Sequence, residues 1–410
     1  MIIRRPHPKS KLKKTNRKFI SKLRSLSYVK EDLETSMYSD DFHRTIFICP
    51  LDRHIEPLIK KVEFVLKVLE SKSELVGVSV QQMPLRRLHS QLNCDAAIYP
   101  LLKCMSSIIN RPIHPQIIEG IECQAFNYGL DQLTTEEFET IQTNLNGLLP
   151  LDHSTVILYE QAINQFISHI RCFMNKPEIK RKLYDRASSC NRMKDQCSAL
   201  VQSLIKQHSK ILVIRLDFYL IHQSSTLLKK SHVLQEIHSK HDLEYLKGCV
   251  KRFLRMKRNH PLMKEIIGHI FRYEYTPQRG FHIHSFLFFD ANKHREDITI
   301  GQAIAKIWNG KITGGQGSTN NCNFKKGSYR YCGIGMIHYS DVDKLKYLFR
   351  TFEYICKADQ FFAFSNLEGA RRFQLSQAPQ KKSKAGRPRK VNQQSKIETQ
   401  NHDNNMEQSS

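Results

Sequence analysis

The chain of 410 residues carries 64 lysines and arginines against 39 acidic residues, which gives a net charge of +25 and an isoelectric point near 9.6. This excess of positive charge favours a polyanionic partner, of which nucleic acid is the commonest. No run approaches the roughly 18 apolar residues of a membrane span, and no secretory apolar core follows the N-terminus, so neither a membrane protein nor a secreted one is expected.

The 11 cysteines are scattered along the chain without a Cys-x-x-Cys pair. This pattern argues against zinc fingers and against a scaffold held by disulfides. It is typical of reduced thiols, and we therefore expect a cytoplasmic protein.

Residues 1–43 are predicted to form a flexible basic arm, because lysines and arginines fill residues 1–30 before the first acid, Glu31. Such an arm can follow the phosphates of a nucleic acid. A transit peptide or a solubilising tail has a similar composition, and the sequence does not separate the three.

Residues 44–205 are predicted to form a mainly helical domain. Apolar residues recur at helical spacing in Glu56–Ser71, Thr134–Leu148 and Val156–Met174. No motif in this domain carries chemistry, and its role stays open. The charged stretch Lys176–Lys210 is predicted to follow as a long, exposed helix that contains the boundary to the next domain.

Residues 206–378 are predicted to form an α+β domain that begins with the apolar strand Ile211–Leu220. Arg215 and Asp217 share one face of this strand. They form either a mutual ion pair at the rim of the sheet, or a pair beside a metal ion in which Asp217 is an alternative or outer ligand.

The central stretch is Phe281–Asp290, a β-branched and aromatic run that predicts a buried strand. Side chains alternate along a strand, so His282 and His284 point the same way. Glu274 lies upstream across a Pro- and Gly-containing turn, and the parity of a hairpin places it on the histidine face. Two histidines and one carboxylate favour Mg²⁺ or Mn²⁺ acting on a phosphate, with Zn²⁺ as an alternative. Without a metal, the two histidines would be hydrogen-bonded residues of a polar face.

Further elements are predicted around this hairpin. Ser231–Arg258 is a helix whose basic end is either a solvated face or a phosphate track. Ile300–Trp308 is a helix in which the only tryptophan, Trp308, anchors a core. Gly310–Gly317 lacks the spacing of a nucleotide loop and is predicted to be a flexible connection. Tyr329–Tyr339 offers one or two short strands.

Asp341–Ala358 is predicted to be an amphipathic helix with Asp341 at its N-cap. Its polar side gathers tyrosines and cations, including Tyr347, Arg350, Tyr354 and Lys357. A tyrosine beside a lysine suits a nucleophile that attacks DNA, since the lysine can stabilise phenolate or phosphate charge. The alternative is a surface helix with ordinary exposed tyrosines.

Residues 379–410 are predicted to form a disordered basic and polar tail, because large apolar residues are almost absent. Within it, Arg387 and Arg389 flank Pro388 in a pattern similar to an AT-hook, which binds the minor groove. A nonspecific basic tail is the alternative.

These motifs follow a fixed order: the strand with Arg215 and Asp217, then Glu274, then His282-Ile283-His284, then Tyr354-Ile355-Cys356-Lys357. This order resembles the HUH endonuclease superfamily, whose motifs are an apolar strand, His-hydrophobic-His, and a Tyr-x-x-Lys helix. Within it, the sequence is most similar to the filamentous-phage-type replication initiators and the related YagK/YfjJ prophage family. The likeness covers roughly Ile211 to Phe373 and includes Gly280–His284, Asn323, Gly333–Ile337 and Tyr354–Gln360.

The resemblance implies an α+β fold with a five-stranded antiparallel sheet, flanking helices and the His-x-His strand at its centre. It implies metal-dependent nicking of single-stranded DNA at a replication origin. Tyr354 would attack a phosphodiester held by the ion at Glu274, His282 and His284. The products would be a 5′-phosphotyrosine and a 3′-OH that primes rolling-circle synthesis.

The resemblance also implies further participants. Some relatives carry two catalytic tyrosines, for which Tyr347 is the candidate here, and Arg350 is a candidate DNA contact. The chain lacks a Walker loop, so a host helicase and polymerase are the expected partners, in the cytoplasm of a bacterial host cell. The alternatives are a transposase or relaxase with the same chemistry and a non-catalytic DNA-binding regulator.

Overall fold

The computed structural model describes residues 38–40, 43–45, 52–71, 75–82, 88–110, 113, 117–143, 153–221, 232–276, 280–357, 362–364 and 369–377. Of the predicted basic arm, residues 1–37, 41 and 42 lie outside the described residues, whereas residues 38–40 and 43 belong to two short paired strands. The predicted tail of residues 379–410, including Arg387 and Arg389, also lies outside the described residues. Among the described residues, no helix has both the length and the apolarity that crossing a bilayer requires.

The first half of the chain is mainly helical, as predicted. The three predicted amphipathic stretches correspond to helices α1, α5 and α6. The hairpin β3–β4 was not predicted, although the alternation of Val76, Val78 and Val80 in β3 is a strand pattern. The elements in order are β1 (Tyr38–Asp40), β2 (His43–Thr45), α1 (Asp52–Glu70), β3 (Val76–Gln82), β4 (Leu88–Cys94), α2 (Tyr99–Lys103), α3 (Met105–Ile109), β5 (Ile117–Glu119), α4 (Ile121–Asp131), α5 (Thr135–Thr143) and α6 (His153–Asn175).

An aromatic cluster forms the centre of this helical region. Phe64 of α1, Phe126 of α4 and Phe166 of α6 are fully buried, and their ring centroids lie 5.1 to 5.8 Å apart. Edge-to-face and stacked rings at such distances contribute dispersion and quadrupole attraction beyond area burial. The apolar stripes predicted for α1 and α6 therefore contribute to this core, in which α4 was not predicted.

Helix α7 (Pro177–His208) belongs to two cores. Near its start, Ile179 packs into the helical region. In its second half, Cys197, Leu200 and Leu204 are buried against the sheet described next. The prediction of an exposed helix is wrong for this half. The predicted domain boundary at 205/206 falls within its last turn.

The second half of the chain is built on a six-stranded antiparallel sheet. Its order is β10-β6-β8-β7-β12, with β9 also paired to β6, so the His-x-His strand β8 lies in the middle. Nine of the eleven β8 residues are buried, because helices cover both faces. The elements are β6 (Lys210–Leu220), α8 (His232–Met256), β7 (Ile266–Thr276), β8 (Gly280–Asp290), α9 (Asp297–Lys306), β9 (Gly317–Asn321), β10 (Gly335–His338), α10 (Val342–Lys357), β11 (Phe362–Phe364, paired with β5) and β12 (Phe373–Leu375).

Different helices pack on the two faces of this sheet. On one face, α8 and a π-helix over Ile307–Ile312 enclose an apolar core, in which Trp308 stacks on Phe218 at 4.1 Å. The predicted role of Trp308 as a core anchor is thus confirmed. On the other face, α7 and α10 pack over Phe286 and Phe288, and this is the face to which His282 and His284 point.

The edge beside β6 is shared by two short strands. β10 pairs with residues 210–213 of β6 and β9 with residues 216–220. Between them, the buried Asn323 side chain accepts a hydrogen bond from Arg215 N at 2.8 Å and donates one to Val213 O at 2.9 Å. A side-chain amide thus replaces the missing piece of strand, which satisfies the backbone polar groups of β6. The five-strand count is not confirmed, since these two strands occupy one edge and bring the total to six.

Candidate metal centre

The candidate ligands lie in two adjacent rows across strands β6, β8 and β7. In one row Glu274 opposes His282, and in the next His284 lies between Asp217 and Arg272. Side chains alternate along strands, so all five project from one face. This is the arrangement that the hairpin parity predicted.

Three of these side chains can share one cation. The potential ligand atoms of Glu274, His282 and His284 all lie within 4.8 Å of one another, and all three residues are buried. Glu274 Oε2 is 3.0 Å from His284 Nε2 and 3.8 Å from His282 Nε2. Adjacent ligands about 2.1 Å from an octahedral ion lie about 3 Å apart, so small shifts suffice to seat one.

The second oxygen of the Glu274 carboxylate is also suited to bind a cation. Glu274 Oε1 is buried and accepts no hydrogen bond from any group that the structure describes. A buried carboxylate oxygen without a hydrogen bond is costly, and Arg272 Nε, 3.8 Å away, supplies positive charge but lies beyond hydrogen-bond distance. Two imidazoles and this carboxylate match a divalent metal with open coordination positions.

Hydrogen bonds behind the histidines orient their rings. His284 Nδ1 lies 2.7 Å from Asp217 Oδ1, and His282 Nδ1 lies 3.1 Å from the carbonyl oxygen of Gly280. When each Nδ1–H donates to its oxygen, each Nε2 remains for an ion. Carboxylate and carbonyl partners of this kind fix the ring orientation and the tautomer of metal-binding histidines.

The charges of the site are strongly coupled. Burial disfavours the imidazolium of His284, but the carboxylates of Glu274 and Asp217 together outweigh burial and raise its pKa to about 10. Burial likewise disfavours ionised Glu274, yet His284, Arg272 and His282 lower its pKa to about 2. Asp217 is held well below its usual pKa, because His284 and Arg215 outweigh burial. Without an ion, His284 therefore carries the positive charge that a metal would otherwise supply.

Two arginines flank the carboxylates. Arg215 Nε is 3.7 Å from Asp217 Oδ1, and Arg272 Nε is 3.8 Å from Glu274 Oε1. The predicted ion pair between Arg215 and Asp217 is therefore present, and Asp217 also contacts His284, whereas its role beside a metal ion stays a prediction. Arg272 was not predicted. Its signal was available, since it precedes Glu274 by two residues in an apolar strand, as Arg215 precedes Asp217.

Cys322 also joins this network without having been predicted. Its thiol donates to Asp217 Oδ2 at 3.3 Å, and burial, with Asp217 next, raises the pKa of this thiol above its usual range. Cys322 is therefore a neutral hydrogen-bond donor to Asp217. No local sequence signal marks it, because it reaches the site only through the pairing of β9 with β6.

Helix α10 covers the same sheet face. Leu348, Phe352 and Ile355 are buried there, and the Phe352 ring lies 5.3 Å from that of Phe286. Asp341 precedes the helix, and its carboxylate accepts a hydrogen bond from the backbone N–H of His338. The amphipathic stripe predicted for α10 therefore packs on the face that carries the candidate ligands.

The predicted nucleophile lies on this helix. Tyr354 is one residue before the buried Ile355, and Lys357 ends the helix, but both side chains lie outside the described residues. Cys356, in the same turn, lies close enough to Arg272 to affect the pKa of its guanidinium, and Glu274 lies close enough to affect the pKa of the Cys356 thiol. The last turn of α10 is therefore near the candidate metal centre.

Tyr347 and Arg350 lie one turn apart in the middle of α10. The Tyr347 ring is 5.3 Å from the Tyr331 ring, and the Arg350 guanidinium lies 4.4 Å from the Tyr331 ring centroid. The structure thus brings these two predicted residues together with Tyr331, which was not predicted as a site residue.

Fold and site together define an α+β protein with a candidate divalent-metal centre on the middle strands of an antiparallel sheet. The family model of the YagK/YfjJ C-terminal domain matches residues 170–374, a range that includes α7, the sheet and α10. The chain belongs to the YagK/YfjJ family. No curated protein and no solved structure matches it.

Proposed function

We propose that this protein is a metal-dependent DNA nicking-joining endonuclease of the HUH type. It would cleave single-stranded DNA at a replication origin through a 5′-phosphotyrosine and so start rolling-circle replication. The observation that carries the proposal is the buried group of Glu274, His282 and His284, on the sheet face covered by the helix that contains Tyr354.

The ligand residues would position the scissile phosphate. A Mg²⁺ or Mn²⁺ ion held by Glu274, His282 and His284 supplies Lewis-acid polarisation of a phosphate oxygen when bound. Asp217 keeps His284 oriented, because it lies 2.7 Å from the ring nitrogen that faces away from Glu274. Arg272, beside Glu274, adds positive charge where phosphate charge develops.

The reaction is a transesterification with Tyr354 as the nucleophile. The Tyr354 oxygen forms a bond to phosphorus as the bond to the 3′ oxygen breaks, the phenol loses its proton, and the departing oxygen gains one as a 3′-OH. A free phenol has a pKa near 10, so positive charge nearby is needed at neutral pH. Lys357, one turn beyond Tyr354, is the proposed source of part of this charge. Rejoining is the reverse reaction, which preserves the phosphodiester energy.

The charge of the whole chain supports a nucleic-acid substrate. The excess of 25 positive charges is unnecessary for a small metal-binding protein but suits a strand of phosphates. A transposase or relaxase would use the same chemistry on another DNA substrate. We propose replication because the motif order and flanking residues resemble the phage-type initiators.

A non-catalytic DNA-binding regulator is the second candidate, and one observation favours it. His284 lies between Asp217 and Glu274, so its imidazolium is compensated without any metal. Such a site could serve only to hold the three central strands together. An assay of covalent bond formation separates this candidate from the nicking enzyme.

The decisive experiment captures the covalent intermediate. The protein is incubated with Mn²⁺ and a randomised single-stranded library, and strands that stay bound in denaturant are sequenced. We expect an enriched cleavage site and a 5′ phosphate joined to Tyr354. Tyr354→Phe should abolish the adduct, as should His282→Ala, whereas Tyr347→Phe should at most slow it.

Tyr184→Phe is the matched control, since Tyr184 is 72% exposed on α7, and it should leave the yield unchanged. DNA mapped to Tyr347, or a free 5′ phosphate made by water attack, would contradict the mechanism. Specific DNA binding without any adduct would favour the regulator.

A further inference from the structure

Exposed aromatic and apolar side chains are concentrated in one short part of the chain. Of the 11 large hydrophobic residues that are exposed in the described structure, six fall within a stretch of 19 residues. The stretch from Phe324 to Val342 contains Lys325, Lys326 and Arg330 and a single acid, Asp341, although Lys326 is paired with Asp297 at 2.7 Å. Exposed apolar patches of this kind mark binding surfaces, and cations here favour an anionic partner. The six residues are Phe324, Tyr329, Tyr331, Met336, Tyr339 and Val342.

Tyr331 is the best-defined member of this group. Its side chain is 42% exposed, yet its ring contacts three neighbours at fixed distances. The Tyr347 ring is 5.3 Å away, and the guanidinium groups of Arg350 and Arg330 lie 4.4 Å and 5.4 Å from the ring centroid. These cation–π contacts hold the tyrosine ring in place and put two positive charges beside it.

The segment before Tyr331 reaches the candidate metal centre. Tyr329 lies near Cys322, and the Cys322 thiol donates a hydrogen bond to Asp217, the partner of His284. Tyr329 is itself 39% exposed, so it links the centre to solvent.

A close backbone contact fixes the segment after Tyr331. A Cβ atom on Gly333 would lie against the backbone of Leu348 and Tyr347 at less than any normal contact distance. Glycine therefore allows the loop to pack directly on α10, next to the Tyr347–Tyr331 contact. The loop is held at both ends, so its aromatic rings need little ordering on binding.

We propose that Tyr329, Tyr331, Tyr347, Arg330 and Arg350 form a stacking platform for the unpaired bases of a DNA strand bound at the metal centre. The choice of DNA rests on the proposed function. Aromatic side chains stack on any base, because every base has a π face, and arginines beside them pair with the phosphates. Tyr347 then acts as a support of the platform rather than as a second nucleophile.

Binding without cleavage tests the platform. Full-length protein carrying Tyr354→Phe is titrated in EDTA against a fluorescent single strand of about 16 nucleotides, and anisotropy gives the affinity. Tyr331→Ala should weaken binding roughly 5- to 100-fold, the usual effect of removing one stacking ring. Tyr331→Phe should restore the affinity, since the ring is kept. Tyr184→Ala, at a more exposed tyrosine on α7, should change the affinity less than about twofold.

A strand of the same length made from abasic units separates stacking from other effects. Tyr331→Ala should leave affinity for this strand unchanged. Equal weakening for both strands would overturn the platform, and so would unchanged affinity for the normal strand. The result is independent of the covalent assay, because affinity is measured without metal and without the nucleophile. A base-dependent effect of Tyr331 without any adduct would keep the platform and remove the nicking function.

Discussion

Replacing Asp217 by asparagine tests how this protein sets the charge of its candidate metal centre. Asparagine keeps the shape of the side chain and can still accept a hydrogen bond from the His284 Nδ1–H, now 2.7 Å from Asp217 Oδ1. It removes one of the two carboxylates that raise the pKa of His284 to about 10. The substitution therefore changes charge while largely preserving geometry.

Two opposing effects set the expected magnitude. With a pKa of about 10, only about one His284 in a thousand is neutral at pH 7, so a metal must displace a proton and loses about a thousandfold in apparent affinity. Asp217→Asn lowers the pKa of His284, and each pKa unit by which it falls raises the apparent metal affinity about tenfold at neutral pH. Loss of the carboxylate behind the ring costs about 10- to 100-fold in metal affinity. Near pH 7 the two effects should cancel to within about tenfold.

Titration calorimetry with Mn²⁺, in buffers of different ionisation enthalpy, measures the protons released on binding. The wild-type protein should release about one proton per ion between about pH 6.5 and 8.5, and its affinity should rise about tenfold per pH unit. In Asp217→Asn, proton release should fall below one at the upper end of this range. Its affinity should level off at a lower pH.

His282→Ala serves as the ligand control and should remove measurable binding. If the wild-type protein bound Mn²⁺ without releasing a proton at neutral pH, His284 would be neutral before binding or would not be a ligand. Either result would refute the reasoning from the two carboxylates.

Two further predictions concern stability, measured by urea unfolding. Gly333→Ala should lower the free energy of unfolding by about 1–3 kcal/mol, because a Cβ atom there collides with the backbone of Leu348. Gly327→Ala is the control and should change stability little, since the space around Gly327 is open. Equal effects of the two substitutions would contradict the close packing. Burial, and to a smaller extent Lys257, lowers the pKa of His269 from its ordinary 6.5 to about 4. The contribution of neutral His269 to the free energy of unfolding is therefore intact above pH 6.5 and is lost as the pH falls towards 4. Between pH 7 and about pH 4.5 the wild type should lose about 2–3 kcal/mol more stability than His269→Gln, and parallel losses would show that His269 protonates freely.

Predictions from the sequence were most accurate for residues that lie close together along the chain. Glu274, His282 and His284 belong to one hairpin, whose parity follows from strand alternation and a short turn. The apolar run also predicted the burial of β8, whereas its central position was expected only from the resemblance to the HUH superfamily.

Contacts made by distant segments were not predictable in this way. Cys322 reaches Asp217 only because β9 returns to pair with β6, and nothing around Cys322 in the sequence records that pairing. Tyr331 meets Arg350 through the packing of a loop on α10. The burial of α7 could have been inferred, since Cys197, Leu200, Val201 and Leu204 recur at helical spacing within its charged sequence.

The double packing of α7 determines where the chain can be divided. A fragment starting at residue 206 would lack the helix that covers Ile211, Val213 and Phe288, and it would expose an apolar sheet surface to water. Such a fragment would aggregate for reasons unrelated to its chemistry. The family match begins at residue 170 and so keeps α7 whole, which makes residue 170 a suitable starting point for expressing the sheet-containing half alone.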